Sequence, residues 1–172
     1  MVGQGDYMKK IVVAGGCFWG VEEYYRRLKG VEATRVGYAQ GLLENPSYQE
    51  VCSGKTLHAE VAEIAYDPSV LPLTKVLEHL FRIIDPTSLN KQGNDVGTQY
   101  RVGVYPVDPE DMDVIKAVVS EKQKEFTKPL VLEVEYLRDF YDAETYHQKY
   151  LVKNPGGYCH VNMGLIKPEE KK

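Results

Sequence analysis

The order of strand-like and helix-like segments between residues 11 and 105 is the feature of this sequence that most restricts its fold. Apolar runs and two-residue alternation predict strands, and apolar residues repeating every three to four positions predict helices. The predicted elements are strands at 11–14, 31–38, 60–66 and 100–105, and helices at 17–28 and 73–84. This β-α-β-β-α-β order is typical of ferredoxin-like, split β-α-β domains.

A further helix and strand are predicted after residue 105. The helix, at 108–126, opens with an Asp108 cap followed by Pro109, and the fifth strand, at 130–137, would extend the sheet. We therefore expect an α+β fold, a two-layer sandwich with a ferredoxin-like core and an extra C-terminal strand and tail. A single catalytic domain is expected over 1–172, with a flexible arm from about residue 151 and a frayed charged end at 167–172.

Composition excludes several classes of function. A chain of 172 residues can bury a core without disulfides or metal, and its net charge of −4 argues against a nucleic-acid partner. Apolar segments fall short of the roughly 20 residues that cross a bilayer, so no membrane association is expected. The 3 cysteines are too few for a disulfide scaffold, which predicts a reducing compartment, the cytoplasm.

Cys17 stands where the first predicted strand gives way to the first predicted helix, within Gly15-Gly16-Cys17-Phe18-Trp19-Gly20. Unpaired backbone N–H groups and the positive end of the helix dipole favour a thiolate, so we expect a lowered pKa and a nucleophilic sulfur. Phe18 and Trp19 are adjacent, and at least one of them should line an exposed apolar surface. The alternative is a small, buried structural cysteine.

The other two thiols differ in their surroundings. Cys159 follows Pro155-Gly156-Gly157, a turn-rich segment that could carry its sulfur to another thiol, as disulfide exchange requires. An incidental surface thiol is the alternative there. Cys52 has neither a helix start nor such a segment and is expected to be structural.

Metal and dinucleotide chemistry are not indicated. His58-Ala59-Glu60 matches the H-x-E part of a zinc deaminase, but the chain contains no C-x-x-C to complete it. His147 lacks an H-E-x-x-H partner, and the glycines at 15, 16 and 20 do not form G-x-G-x-x-G. We expect no metal and no bound cofactor.

Gly16-Cys17-Phe18-Trp19-Gly20, with Glu22 following, closely resembles the active-site motif of the A-type peptide methionine sulfoxide reductases. The resemblance continues in order over nearly the whole chain, at residues 35–38, 45–48, 58–60, 85–87, 93–101, 143–148 and 154–159. The chain departs from the family pattern at Leu57, where glycine is usual, at Gln40, where a small residue is usual, and at Asp142, where proline is usual.

The resemblance implies reduction of the S epimer of methionine sulfoxide, free or protein-bound. Cys17 would attack the sulfur while Glu60, a carboxyl kept protonated by burial, gives its proton to the sulfoxide oxygen. Tyr48 and Tyr100 would hold that oxygen, and Asp95 would support the site.

In the same family pattern, Phe18 and Trp19 would cradle the substrate methyl group. Cys17 would become a sulfenic acid, and Cys159 would resolve it as a disulfide that an external dithiol reductant, thioredoxin, reduces. The expected partners are oxidised proteins or peptides, free methionine sulfoxide and thioredoxin, with the chain acting as a monomer.

Two other functions fit a reactive cysteine. A cysteine hydrolase or acyl transferase would pair Cys17 with His58 or His147. A redox sensor or oxidised-peptide binding module would use Cys17 and Cys159 without multiple turnover.

Overall fold

The computed structural model describes residues 8–172, and its centre is a six-stranded sheet. The strands of this sheet are β1 (Lys9–Gly15), β2 (Val31–Ala39), β3 (Ala59–Tyr66), β6 (Val102–Tyr105), β7 (Glu133–Val134) and β8 (Tyr141–Asp142). They lie in the order β7-β6-β1-β3-β2-β8, antiparallel throughout except for the parallel β6–β7 pair. A separate hairpin joins β4 (Lys91–Gln92) to β5 (Asp95–Val96).

Helices cover one face of the sheet. They are α1 (Phe18–Arg26), α2 (Tyr48–Cys52), α3 (Leu73–Ile83), α4 (Pro109–Gln123) and α5 (Tyr150–Lys153). Ile11 and Val13 point to the main core, which also holds apolar side chains of α1, α3 and α4. Their neighbour Val12 points to the opposite face, where Leu137 and Phe140 pack. This alternation follows from the two-residue period of a strand, and the predicted mixture of helices with a mainly antiparallel sheet is confirmed.

The predicted fifth strand at 130–137 is wrong in extent, because only Glu133–Val134 forms a ladder. The backbone groups around it bond irregularly. Val131 N–H donates to the Pro86 carbonyl, and Leu137 N–H donates to the Pro106 carbonyl. The helix predicted at 108–126 ends at Gln123, and α2, α5 and β8 were not predicted because such short elements carry no clear periodicity.

The end of the chain is attached to the domain, so the prediction of a frayed tail is wrong. Arg82 forms two hydrogen bonds with the Glu170 carboxylate, at 2.7 and 2.9 Å, and Lys171 pairs with Leu28 in an isolated bridge. Ile166 is buried in the core. A buried apolar anchor and a bidentate ion pair hold this charged segment in one conformation.

Within residues 8–172, no helix is both long and apolar enough to cross a membrane. The same part of the chain contains no cluster of three or more His, Cys, Asp or Glu side chains that could hold a metal ion.

Candidate active site

Cys17 is the residue that caps the N-terminus of α1, directly after β1 ends at Gly15. Gly16 connects the two elements with φ of +88°, a conformation that side chains disfavour. Cys17 is buried, with 7% of the residue exposed, and its side chain makes no capping hydrogen bond to the first turn of α1. The predicted strand-to-helix placement of the thiol therefore agrees with the structure.

The expected lowering of the Cys17 pKa is wrong for the resting protein. Burial raises the pKa of this thiol well above its ordinary value, and the Glu60 carboxyl raises it further, while the Trp19 N–H opposes them only in part. Loss of hydration on burial disfavours the charged form more than one helix terminus favours it. In the resting protein, Cys17 is thus a thiol at neutral pH.

Glu60 lies in β3 and is 1% exposed. Phe18 N–H, in the first turn of α1, donates a hydrogen bond to its Oε1 at 3.2 Å. Oε2 is buried and has no hydrogen-bond partner within residues 8–172. Burial raises the Glu60 pKa to about 8, and the nearby Asp95 carboxylate also raises it, against the Phe18 N–H. At pH 7 Glu60 therefore holds its proton.

Two tyrosines lie around this carboxyl. Burial raises the pKa of both Tyr48 and Tyr100, and the Glu60 charge contributes to both shifts. Tyr48 opens α2, and Tyr100 ends the turn that precedes β6. Both phenols therefore remain hydrogen-bond donors at neutral pH.

Glu144 positions Tyr48 and was not identified as a site residue from the sequence. Its Oε2 accepts the Tyr48 backbone N–H at 2.8 Å, and its Oε1 accepts the Tyr38 hydroxyl at 2.8 Å. The carboxylate therefore joins β2 to the start of α2. In the sequence, the only indication of a role for Glu144 was its position within residues 143–148, one of the segments that resemble the family.

The aromatic residues after Cys17 divide between core and surface. Phe18 is buried in the main core, whereas Trp19 is half-buried and stacks on Tyr150 with ring centroids 3.7 Å apart. Trp19 Nε1–H donates to His147 Nδ1 at 3.0 Å, and the His147 ring lies 4.4 Å from that of Tyr48. His147 therefore fixes the indole of Trp19, which is the one of the adjacent pair that reaches the surface.

Asp95, in β5, belongs to the same site. Its charge raises the pKa of Cys17, Glu60 and Tyr100, and its Oδ2 accepts the Tyr158 hydroxyl at 3.0 Å. Tyr158 comes from the C-terminal segment next to Cys159. Asp95 thus connects the reacting region to the segment that carries the second thiol.

Cys159 lies against α1 while its thiol is free. A Cβ placed on Gly20 would be 3.1 Å from the Cys159 Sγ, so the glycine provides the space that this sulfur occupies. Gly20 follows Cys17 by three residues on the same helix, and Cys159 is among the charges that act on Cys17. The second thiol therefore lies against the helix that Cys17 caps while both thiols are free.

The remaining candidates lie apart from Cys17 or are engaged elsewhere. Cys52 is exposed on α2, and its thiol contacts Tyr48. His58 Nε2 is bonded to the Leu43 carbonyl at 2.6 Å, and His147 Nδ1 is occupied by Trp19. His58 Nδ1 and His147 Nε2 are without partners, but within residues 8–172 neither histidine is hydrogen-bonded to Cys17.

Two of the departures from the family pattern occupy left-handed backbone. Leu57 has φ of +61° and Gln40 has φ of +65°, conformations that glycine adopts at lower cost. Gln40 compensates through its side-chain amide, which bonds to Glu135, Tyr136 and Arg138. Asp142 accepts a hydrogen bond from Arg35 at 2.8 Å.

A groove of about 590 Å³ lies beside α2 and is lined in part by Leu42, Leu43 and Gln49. It contains none of the candidate catalytic side chains. A smaller cavity of about 120 Å³ includes Cys159 and Met163 in its wall. The candidate active site is therefore located from the positions of Cys17 and Glu60, and not from the volume of a groove.

Comparisons with known proteins agree on one family. The family model described as "Peptide methionine sulfoxide reductase" matches residues 9–172. The chain is 60% identical over 156 residues to a peptide methionine sulfoxide reductase MsrA of Clostridium botulinum, covering 91% of this chain and 99% of the relative.

Solved structures agree with this match. The reduced form of Mxr1 from Saccharomyces cerevisiae has a TM-score of 0.86 at 39% identity, covering 91% of this chain and 92% of that one. Mxr1 in complex with Trx2 has a TM-score of 0.61 at 26% identity, covering 84% and 86% of the two chains.

Proposed function

Since the chain belongs to the peptide methionine sulfoxide reductase family and is an oxidoreductase acting on methionine sulfoxide, we propose that it reduces the S epimer, free or protein-bound, through Cys17 and Glu60. One observation carries the proposal. A buried, protonated carboxyl, Glu60, is hydrogen-bonded to the first turn of the helix that Cys17 caps. A cysteine sulfur and a neutral acid at one place are what sulfoxide reduction needs.

In the first step, the Cys17 sulfur attacks the sulfoxide sulfur while Glu60 gives its proton to the sulfoxide oxygen. The attack forms a transient bond between the two sulfur atoms. The hydroxyl group on the substrate sulfur then passes to the Cys17 sulfur as this S–S bond and the original S–O bond break, which leaves methionine and a Cys17 sulfenic acid. The thiol proton replaces the one that Glu60 gave away. The methionine sulfur is reduced by two electrons, and the cysteine sulfur is oxidised by two.

Tyr48 and Tyr100 donate hydrogen bonds to the sulfoxide oxygen as its charge changes, and Asp95 supports the site through its charge and through Tyr158. Their shared electrostatic contact with Glu60 supports these roles. Phe18 and Trp19 receive the substrate methyl group. The indole held by His147 and Tyr150 supplies a rigid apolar wall, which favours one arrangement of methyl and oxygen around the sulfur.

In the second step, the Cys159 thiol attacks the Cys17 sulfenic sulfur, releasing water and forming a Cys17–Cys159 disulfide. The position of the Cys159 Sγ against Gly20 supports this pairing. A dithiol then reduces the disulfide and is itself oxidised, which restores both thiols. The structural similarity to Mxr1, which has been solved in complex with Trx2, supports thioredoxin as that dithiol.

The four central strands support a split β-α-β description of the fold that carries this site. β6, β1, β3 and β2 are neighbours in that order, and α1 and α3 provide the two crossovers. We therefore keep the ferredoxin-like core as a proposal, within a single catalytic domain.

The test is an assay of each epimer of a methionine sulfoxide peptide with dithiothreitol as reductant. We expect loss of the S epimer alone, with one dithiothreitol consumed per methionine formed. Equal loss of both epimers would contradict the proposed specificity. Turnover without reductant would favour the hydrolase or acyl transferase, and capture of one equivalent without further turnover would favour the sensor.

A further inference from the structure

Both glycines that flank the Cys17 motif leave room for the C-terminal arm, defined here as residues 150–161. A Cβ on Gly20 would lie 3.1 Å from the Cys159 Sγ. A Cβ on Gly16 would lie 2.9 Å from Nε2 of His160, closer than such atoms approach in proteins. The loop and helix around Cys17 are therefore shaped to receive Cys159 together with the histidine that follows it.

His160 makes a direct hydrogen bond to the loop before Cys17. Its Nε2 lies 2.7 Å from the Gly15 carbonyl oxygen. A carbonyl can only accept, so Nε2 carries the proton and donates it. Nδ1 is buried and has no hydrogen-bond partner within residues 8–172. The contact with the Gly15 carbonyl is thus the polar interaction by which this side chain holds the arm to the domain.

Near Cys159, the exposed Tyr158 hydroxyl also bonds the arm to the domain, through Asp95 Oδ2 at 3.0 Å. Gly156 has nothing within 4 Å of the place where a Cβ would stand, and Pro155 and Gly157 are exposed or half-exposed. Lys149 anchors the start of the arm, because its N–H and Nζ bond to the Glu22 carboxylate at 2.8 and 3.1 Å. Residues 152–156, between these contacts, are exposed, so losing the His160 bond would let the chain sample more conformations and would lower the local concentration of the Cys159 thiol at Cys17.

We propose that His160 is a positioning residue for disulfide formation, and that its Nε2–H···O bond to Gly15 keeps Cys159 against Gly20 of the helix that Cys17 caps. This inference rests on the proposed function, since it concerns the second step of that reaction. The bond limits the conformational search that Cys159 must complete after Cys17 is oxidised. Sulfoxide reduction itself, which uses Cys17 and Glu60, does not depend on it.

A different role for the same residue predicts different behaviour. If Nδ1 of His160 removed the Cys159 proton, the rate of disulfide formation would depend on a titrating imidazole. The Cys159 thiol instead donates to the Val161 carbonyl at 3.3 Å. Glutamine separates the two roles, because its Nε2 amide can donate to the Gly15 carbonyl but cannot take up a proton at neutral pH.

The experiment is a single turnover without reductant, with methionine release and the loss of free thiols followed separately by rapid quenching. The variants are His160→Ala and His160→Gln. Lys153→Met is the matched control, because Lys153 also donates to a carbonyl, that of Thr145 at 3.1 Å, but makes no contact with the Cys17 loop. Rates are measured from pH 6 to pH 9.

We expect methionine release to be unchanged in all three variants. His160→Ala should slow thiol loss about 3- to 10-fold, the change that losing one hydrogen bond of ordinary strength produces. His160→Gln should stay within about twofold of the wild type with the same pH profile, as rescue by a retained donor requires. Lys153→Met should match the wild type.

Three results would overturn the proposal. They are an unchanged rate in His160→Ala, an equal slowing in Lys153→Met, or a His160→Gln variant as slow as alanine with its pH dependence lost. If His160→Ala does not fold, His160→Asn makes the same comparison with glutamine, because its amide is one methylene too short for the Gly15 carbonyl. Failure of the proposed function is distinguishable, since the wild type would then release no methionine.

Discussion

The backbone N–H of Phe18 donates to the Glu60 carboxyl at 3.2 Å, and this bond joins the helix that Cys17 caps to strand β3. The contact holds a buried acid beside a buried thiol. Since burial raises the pKa of both groups, the resting site stores two protons, one on sulfur and one on oxygen.

Replacing each thiol separately should divide the reaction into its two steps. Cys17→Ser should abolish methionine formation, because no nucleophile remains. Cys159→Ser should form about one methionine per protein and then stop when thioredoxin is the reductant, because the sulfenic acid has no resolving partner. Quantifying methionine in a burst experiment checks both outcomes. Full thioredoxin-driven turnover by Cys159→Ser would show that the recycling assignment is wrong.

The rate of methionine formation should depend on the ionisation of Glu60. The proposed reaction starts from a protonated Glu60 carboxyl. The rate should therefore fall as the pH rises through about 8, the pKa of this group. Glu60→Gln should lower the rate by roughly 100-fold or more and remove this decline, since an amide cannot give the proton. Single-turnover rates from pH 6 to pH 10 in the Cys159→Ser background test this. A flat wild-type profile up to pH 10 would rule out Glu60 as the acid.

The Cys17 thiol should react slowly with alkylating agents in the free protein. Its raised pKa keeps the sulfur protonated, and only the thiolate reacts quickly. We expect iodoacetamide labelling at pH 7 to be slower than for a small-molecule thiol, and to continue rising above pH 9. Mass spectrometry of the peptide containing Cys17 measures this site alone. Fast labelling that saturates below pH 7 would restore the lowered pKa expected from the sequence.

The tyrosine hydroxyls should matter for rate more than for folding. Tyr48→Phe and Tyr100→Phe should each lower the rate of methionine formation by about 100-fold, the usual cost of removing one preorganised donor. Tyr136→Phe is the control, since this ring is 45% exposed on the surface. The comparison is made by single-turnover kinetics, with thermal unfolding measured alongside. Losses confined to thermal stability would argue against a role in catalysis.

The ion pair between Arg82 and Glu170 should contribute to stability in a pH-dependent way. Hydrogen bonds from Arg82 lower the Glu170 pKa to about 2. The stabilisation is therefore present above the ordinary glutamate pKa and is lost as the pH falls toward 2. Glu170→Gln should lower the free energy of unfolding by about 1 kcal/mol at pH 7, since the pair is only partly buried. Urea unfolding at pH 7 and pH 3 should show the difference shrinking at the lower pH. Lys124→Gln, at a fully exposed ion pair, is the control.

Long, regular elements were predictable, whereas short ones were not. The sequence ranges for β2, β3 and α3 agree with the structure to within one residue at each end, because apolar periodicity accumulates over such lengths. α2 has five residues and β8 has two, too few for a period to emerge. The attachment of the chain end also escaped prediction, since it depends on Arg82, far away in sequence.

For the candidate site, the sequence by itself determined which chemical groups are present and their order along the chain. The thiol at a helix start and the family resemblance were both readable from local residues around Cys17. What only the tertiary structure decided is how those groups behave together. Burial at the junction of β1, β3 and α1 raises the pKa of both Cys17 and Glu60, and the docked arm brings His160 to the Gly15 carbonyl. Desolvation and long-range hydrogen bonds depend on which segments pack against each other, and no local pattern of residues contains that information.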